Sequence, residues 1–239
     1  MSQASGFVEE LFMPAISTST LSGTTASSVI GAYNDVRTGP RHGIRKERDS
    51  GVISITMDRN PPYAGVTEFR PVYTETGVEP RAVRIGISDS IPRSLTLTTG
   101  ETINYTRRVT RHEAKHALSE KLLEHMDVSP RMATLLMESF AEYTELKDGQ
   151  KKEVLATTPY QGALKFGYMV DMFYNSRQNG KGFSAFVADI QDYRSAKSAL
   201  TNLGRNIKEA VDRGVDVRGA VEGRYRSDLR EVSQRRKAA

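Results

Sequence analysis

His112 and His116 stand four residues apart, with Glu113 beside the first of them, in the run His112-Glu113-Ala114-Lys115-His116. The flanking Val109, Leu118, Leu122 and Leu123 recur at helical spacing. On a helix, residues four apart project from one face about 40° from eclipsed, so both imidazoles can aim at a single ion. Glu113 can then reach a water on the open side of that ion without being a ligand. The pattern suits Zn2+ and hydrolysis by an activated water. The chain has no cysteine, which excludes disulfides, thiolate-held metal and a cysteine nucleophile, so any metal must rest on His, Asp or Glu.

A zinc site needs a third protein ligand. In the metzincin pattern a glycine and a histidine follow the second His at fixed offsets, but Ser119 and Leu122 occupy those positions. The alternative is a glutamate from a second helix, and residues 130–147 supply Glu138 and Glu142 on one face. Glu120, one turn past His116, ranks below them, because three ligands on successive turns of one helix do not converge on one ion. His42 and His125 read as surface residues. Arg107, Arg108 and Arg111 read as a solvated face near a helix start, where positive charge opposes the dipole.

Glu138-Ser-Phe-Ala-Glu-Tyr143 resembles the Glu-Gly-x-Ala-Glu-Tyr segment of gluzincin peptidases, the clan of thermolysin-like enzymes, zinc aminopeptidases and minigluzincin-type proteases. The resemblance implies that Glu138 is the third zinc ligand and that Glu142 orients a ligand histidine, the two roles being exchangeable. Thr158-Pro-Tyr160-Gln-Gly-Ala is similar to the Tyr-x-Lys-Gly-Ala helix start of the zinc aminopeptidases, which implies an oxyanion-binding role for Tyr160, with Tyr168 and Tyr174 as alternatives. The likeness covers roughly residues 82–195. It lacks the Gly-Ala-Met-Glu-Asn segment of the aminopeptidases, has a longer interval between His116 and Glu138, and is one residue shorter between Tyr160 and the glycine. Substrate preference therefore does not carry over.

Positioning these groups requires an α+β chain. Val52–Met57, Glu68–Tyr73, Ala82–Ser88 and Ser94–Thr98 alternate as strands, and beyond Gly100 the spacing turns helical. The active helix is expected from Tyr105 or Thr106 to Met126, with later breaks at Ser129-Pro130, Asp148-Gly149, Thr158-Pro159, Asn179-Gly180 and Arg213-Gly214. With the resemblance, this implies a zincin-like arrangement: a small twisted sheet, the active helix, the glutamate helix, and a helical C-terminal part. Three regions are expected: a polar Ser/Thr-rich arm or linker over 1–50, the gluzincin-like domain over 51–200, and a basic helical segment over 201–239. The last holds ten Lys and Arg against six Asp and Glu.

The formal net charge of +5 and pI near 9.4 permit nucleic-acid binding without requiring it. No signal-like start and no membrane-length apolar run is evident, which sets a cytoplasmic, soluble protein without membrane partners as the expectation. Two functions remain. One is a zinc peptidase acting on a peptide or protein, with Glu113 as general base, Tyr160 on the oxyanion, and an edge strand such as Ser94–Thr98 pairing with substrate. The other is an inactive gluzincin-like scaffold that works through its arm and basic C-terminal segment.

Overall fold

The computed structural model describes residues 23–40, 42, 53–75, 77–97, 100–193 and 195–234. The expected arm before residue 23, the charged turn over 43–50, and residues 235–239 lie outside them, as does the side chain of Glu120.

Helix α1 (Gly23–Thr38) lies where composition suggested a polar arm. Val29, Ala32, Tyr33 and Val36 are buried, and their i, i+3, i+4, i+7 spacing forms one narrow apolar stripe. The surrounding Ser, Thr and Gly dilute that stripe in a composition count without removing its period.

Strands β1 (Ser54–Asp58), β2 (Gly65–Thr74) and β3 (Gly77–Ser88) form one sheet in the order β1-β3-β2. The central β3 runs parallel to β1 and antiparallel to β2, with Ile55 opposite Ile85 and Gly65 opposite Ile87. Among the described residues β4 (Ser94–Thr96) pairs with the unanticipated β5 (Thr102–Asn104) alone, in a separate two-stranded ladder. β5 runs directly into α2 (Tyr105–Ala117), whose N-cap Asn104 accepts from the Arg107 amide. Ile55, Ile85 and Ile87 join Val29, Tyr33, Val109 and Ala114 in a first core that unites α1, the sheet and α2.

The expected continuous helix to Met126 is interrupted. The Leu118 and Ser119 amides bond back to Ala114 and His116, and Ser119 Oγ caps the Lys115 carbonyl at 2.6 Å. A separate short helix, α3 (Glu120–Glu124), follows. Apolar periodicity persists through Leu122 and Leu123, so it does not betray the interruption.

The other breaks fall where expected. Ser129 caps α4 (Pro130–Lys147), with proline in its first turn. Gly149, at φ +88°, separates it from α5 (Lys151–Thr157). Then come α6 (Gln161–Phe173), α7 (Phe183–Tyr193), α8 (Ala196–Asp212) and α9 (Val217–Gln234). Phe140, Leu164, Phe183, Phe186 and Ile190 centre a second, helical core. The basic C-terminal segment belongs to it: Leu203, Ala210, Val221, Tyr225 and Val232 are buried. Asp228 meets Tyr168 and Lys151, while Arg218, Arg224, Arg226 and Arg230 face outward.

The chain is therefore α+β among its described residues, and no helix there is long and apolar enough to cross a membrane. α2 belongs to the first core and α4 to the second, and the candidate site lies where these two helices meet.

Candidate metal centre

α2 and α4 meet through rows of opposite charge. Arg108 places its guanidinium 2.7 Å from both Glu142 and Glu145. Arg111 meets Glu145 at 3.0 Å and also Glu153, and Lys115 meets Asp148. The Arg108 side chain is 4% exposed, and those of Glu142 and Glu145 are 1% exposed, so these charges are internal. The reading of Arg108 and Arg111 as a solvated face is thus overturned, and Arg107 pairs with Asp35 of α1. The signal was present as two complementary rows, 108/111/115 and 142/145/148, both at helical spacing.

Between these pairs the histidines turn toward Glu138. His112 Nε2 lies 3.0 Å from His116 Nε2 and 3.2 Å from Glu138 Oε2, and His116 Nε2 lies 3.7 Å from Glu138 Oε1. The three ligand atoms fall within 4.8 Å of one another, the one group of its kind among the described residues. A tetrahedral ion with bonds of about 2.0–2.2 Å spaces its ligand atoms by about 3.3 Å, so the set fits zinc and leaves a fourth position. Two buried atoms of the cluster, Glu138 Oε2 and His112 Nδ1, lack a well-aligned hydrogen bond although each lies close to a polar neighbour.

Glu142 serves a different atom. Its Oε1 lies 3.1 Å from His112 Nδ1, on the far side of the ring from Glu138, and its Oε2 accepts from Arg108. With Nδ1 facing this carboxylate, Nε2 is the ring nitrogen left to face a cation. The electrostatics agree. Burial opposes protonation of His112, but Glu138 and Glu142 outweigh it and hold the imidazole pKa up at about 10. Burial likewise opposes ionisation of Glu138, yet the two histidines bring it down to about 2. The cluster thus carries enough negative potential to retain positive charge, as a proton or as a metal ion.

Glu113 is buried on the same helix and is held from the sheet side. Thr67 Oγ1 on β2 lies 2.8 Å from Glu113 Oε2 and 2.9 Å from the Glu113 carbonyl oxygen. Gly65 lets β2 come this close. A Cβ there would fall 2.6 Å from Val109 Cγ1 and 2.8 Å from Glu113 Cγ, inside contact distance. The strand beside Glu113 is therefore β2, an edge strand of the three-stranded sheet, whereas Ser94–Thr96, within the Ser94–Thr98 run expected to pair with substrate, lies in the separate ladder with β5.

Tyr160, at the N-cap of α6, stacks over His112 with centroids 5.9 Å apart and planes 11° from parallel. It is 42% exposed and shares a cavity of about 320 Å3 with His112, Glu113 and Gly65. Burial and the charges of Glu138, Glu113 and Glu142 push its pKa up, keeping the hydroxyl protonated as a donor. Tyr168 and Tyr174 are buried in the helical core with their hydroxyls on Asp228 and Asp189. His42 meets Asp148 at 2.6 Å.

The structure thus brings His112, His116 and Glu138 to one point, with Glu142 behind the His112 ring, while His112, Glu113, Glu142 and Tyr160 line one cavity. Thr67, Gly65, Arg108 and Glu145 join them without having been singled out as site residues by the sequence. Comparison with protein-family models, with curated proteins and with solved structures finds no match to the chain.

Proposed function

We propose that the chain is a zinc-dependent peptidase of gluzincin type, with His112, His116 and Glu138 as ligands. The observation that carries this reading is the convergence of two imidazole nitrogens and a carboxylate, next to a cavity lined by His112 and the buried Glu113. Zinc, when bound, supplies a Lewis acid that brings the pKa of a water toward neutrality. Glu113, fixed by Thr67, takes a proton from the water that attacks the peptide carbonyl. The Tyr160 hydroxyl donates to the developing oxyanion. Glu113 then passes its proton to the leaving amine as the C–N bond breaks. Glu142 holds His112 in the orientation that directs Nε2 at the ion, and Arg108 neutralises Glu142 from behind.

The test joins metal analysis of the purified chain to digestion of a peptide library. The expected result is one zinc per chain, lost in His116→Ala, and cleavage abolished in Glu113→Gln with zinc retained. Cleavage unchanged in Glu113→Gln would remove the mechanism. Zinc without cleavage in the unaltered chain supports the scaffold reading instead.

A further inference from the structure

A second cavity, of about 440 Å3, opens on the other side of Tyr160, between the first two turns of α4 and the start of α6. Glu138 and Tyr160 form part of its lining, so it adjoins the proposed reaction centre. Met132, Leu135 and Ala163 supply apolar wall, and Arg131, which is exposed, stands on the lining. The volume lies in the range of pockets that enclose a ligand group.

Arg131 differs from the neighbouring cations. Arg107, Arg108, Arg111, Lys115, Lys147, Lys151 and Lys152 each meet a carboxylate. Arg131 meets none among the described residues, and the first turn of α4 carries no acidic side chain that could neutralise it. An apolar wall ending in an uncompensated guanidinium fits a short methylene stem tipped by a carboxylate, which the planar fork can grip through two parallel hydrogen bonds.

We propose that this cavity is a substrate pocket selecting a carboxylate on one side of the scissile bond, with Arg131 as the recognising group. The assignment rests on the peptidase reading. The carboxylate is either an Asp or Glu side chain or the C-terminus of the peptide. Arg131 is a specificity residue and takes no part in the chemistry.

The experiment uses the full, zinc-loaded chain and N-acetylated peptides of one parent sequence. Glu, Gln and Lys replace one another at each position flanking the cut, and every peptide is made as C-terminal acid and amide. At one position Glu is expected to exceed Gln by about fivefold in kcat/KM, the worth of one solvent-facing ion pair. Arg131→Glu should reverse that preference to Lys with zinc content unchanged. A preference for acid over amide, independent of side chain, identifies the terminus as the source. An unchanged profile in Arg131→Glu overturns the proposal. Fluorescence anisotropy of the same peptides on Glu113→Gln reads binding without turnover. Acid-selective binding that Arg131→Glu abolishes sustains the pocket even where nothing is cut, and equal binding of all the peptides refutes it.

Discussion

The Thr67 hydroxyl lies 2.8 Å from Glu113 Oε2, so the edge strand of the sheet grips the carboxylate that stands beside His112 on α2. Thr67→Val removes this hydrogen bond while keeping the shape. On the proposed peptidase reading, kcat is expected to fall about tenfold, the worth of one hydrogen bond to a charged group, with zinc content unchanged. Thr67→Ser should recover most of the loss. A Thr67→Val enzyme with normal kcat would show that the contact does not position Glu113.

Gly65 faces the same carboxylate from two residues away. A methyl group there would fall 2.8 Å from Glu113 Oε1, and both neighbours belong to packed elements. On the same reading, Gly65→Ala is expected to lower kcat at least as far as Thr67→Val, because Glu113 must move, while zinc binding by the proposed ligands His112, His116 and Glu138 is expected to persist. Zinc stoichiometry beside steady-state kinetics checks this. Loss of zinc together with activity would mean that the whole helix shifts.

The Arg108–Glu142 pair bears on both fold and ligand geometry. Arg108→Met leaves Glu142 and Glu145 buried with less neutralisation, an expected loss of about 3–5 kcal/mol in urea unfolding. Glu142→Gln should weaken zinc binding by about 10- to 100-fold through reorientation of His112. Competition with a zinc-sensitive dye measures the second effect. An unaltered affinity would assign Glu142 to stability alone.

Acid lability follows from carboxylates outside the ligand set. Burial opposes ionisation of Asp148, but His42 and Lys115 outweigh it and depress its pKa. Burial opposes ionisation of Asp171 too, and the Phe183 amide, Lys147 and Tyr143 outweigh it. A carboxylate depressed in the folded state binds fewer protons there than in the unfolded chain. Its stabilisation is complete above the unfolded value of about 4 and is lost as pH falls through the folded value. Thermal melts of chelator-treated protein should therefore be level from about pH 6 to 5 and drop steeply below about pH 4. A Tm that holds or rises between pH 4 and 3 would contradict this.

The sequence shows local features well and partnerships poorly. His112, Glu113 and His116 are readable because a helix converts a spacing of four into a shared face, and Ser129-Pro130 and Gly149 are readable because their backbone preferences are intrinsic. Arg108 and Arg111 were misread because the burial of a cation depends on a partner more than thirty positions away. Helix α1 was hidden by its Ser/Thr background. Strand β5 is only three residues long, too short for alternation to register. Thr67 and Gly65 have no local signature at all, since their importance comes from the register that brings β2 over α2.

The placement of the site between two cores has a mechanical consequence. His112 and His116 ride on a helix anchored in the sheet-side core, whereas Glu138 is fixed in the helical one. If the proposed ion binds all three, it rivets the two cores together. Its affinity is shared with their cohesion: saturating metal strengthens the joint by mass action, and anything that pries the halves apart loosens the coordination sphere by the same free energy.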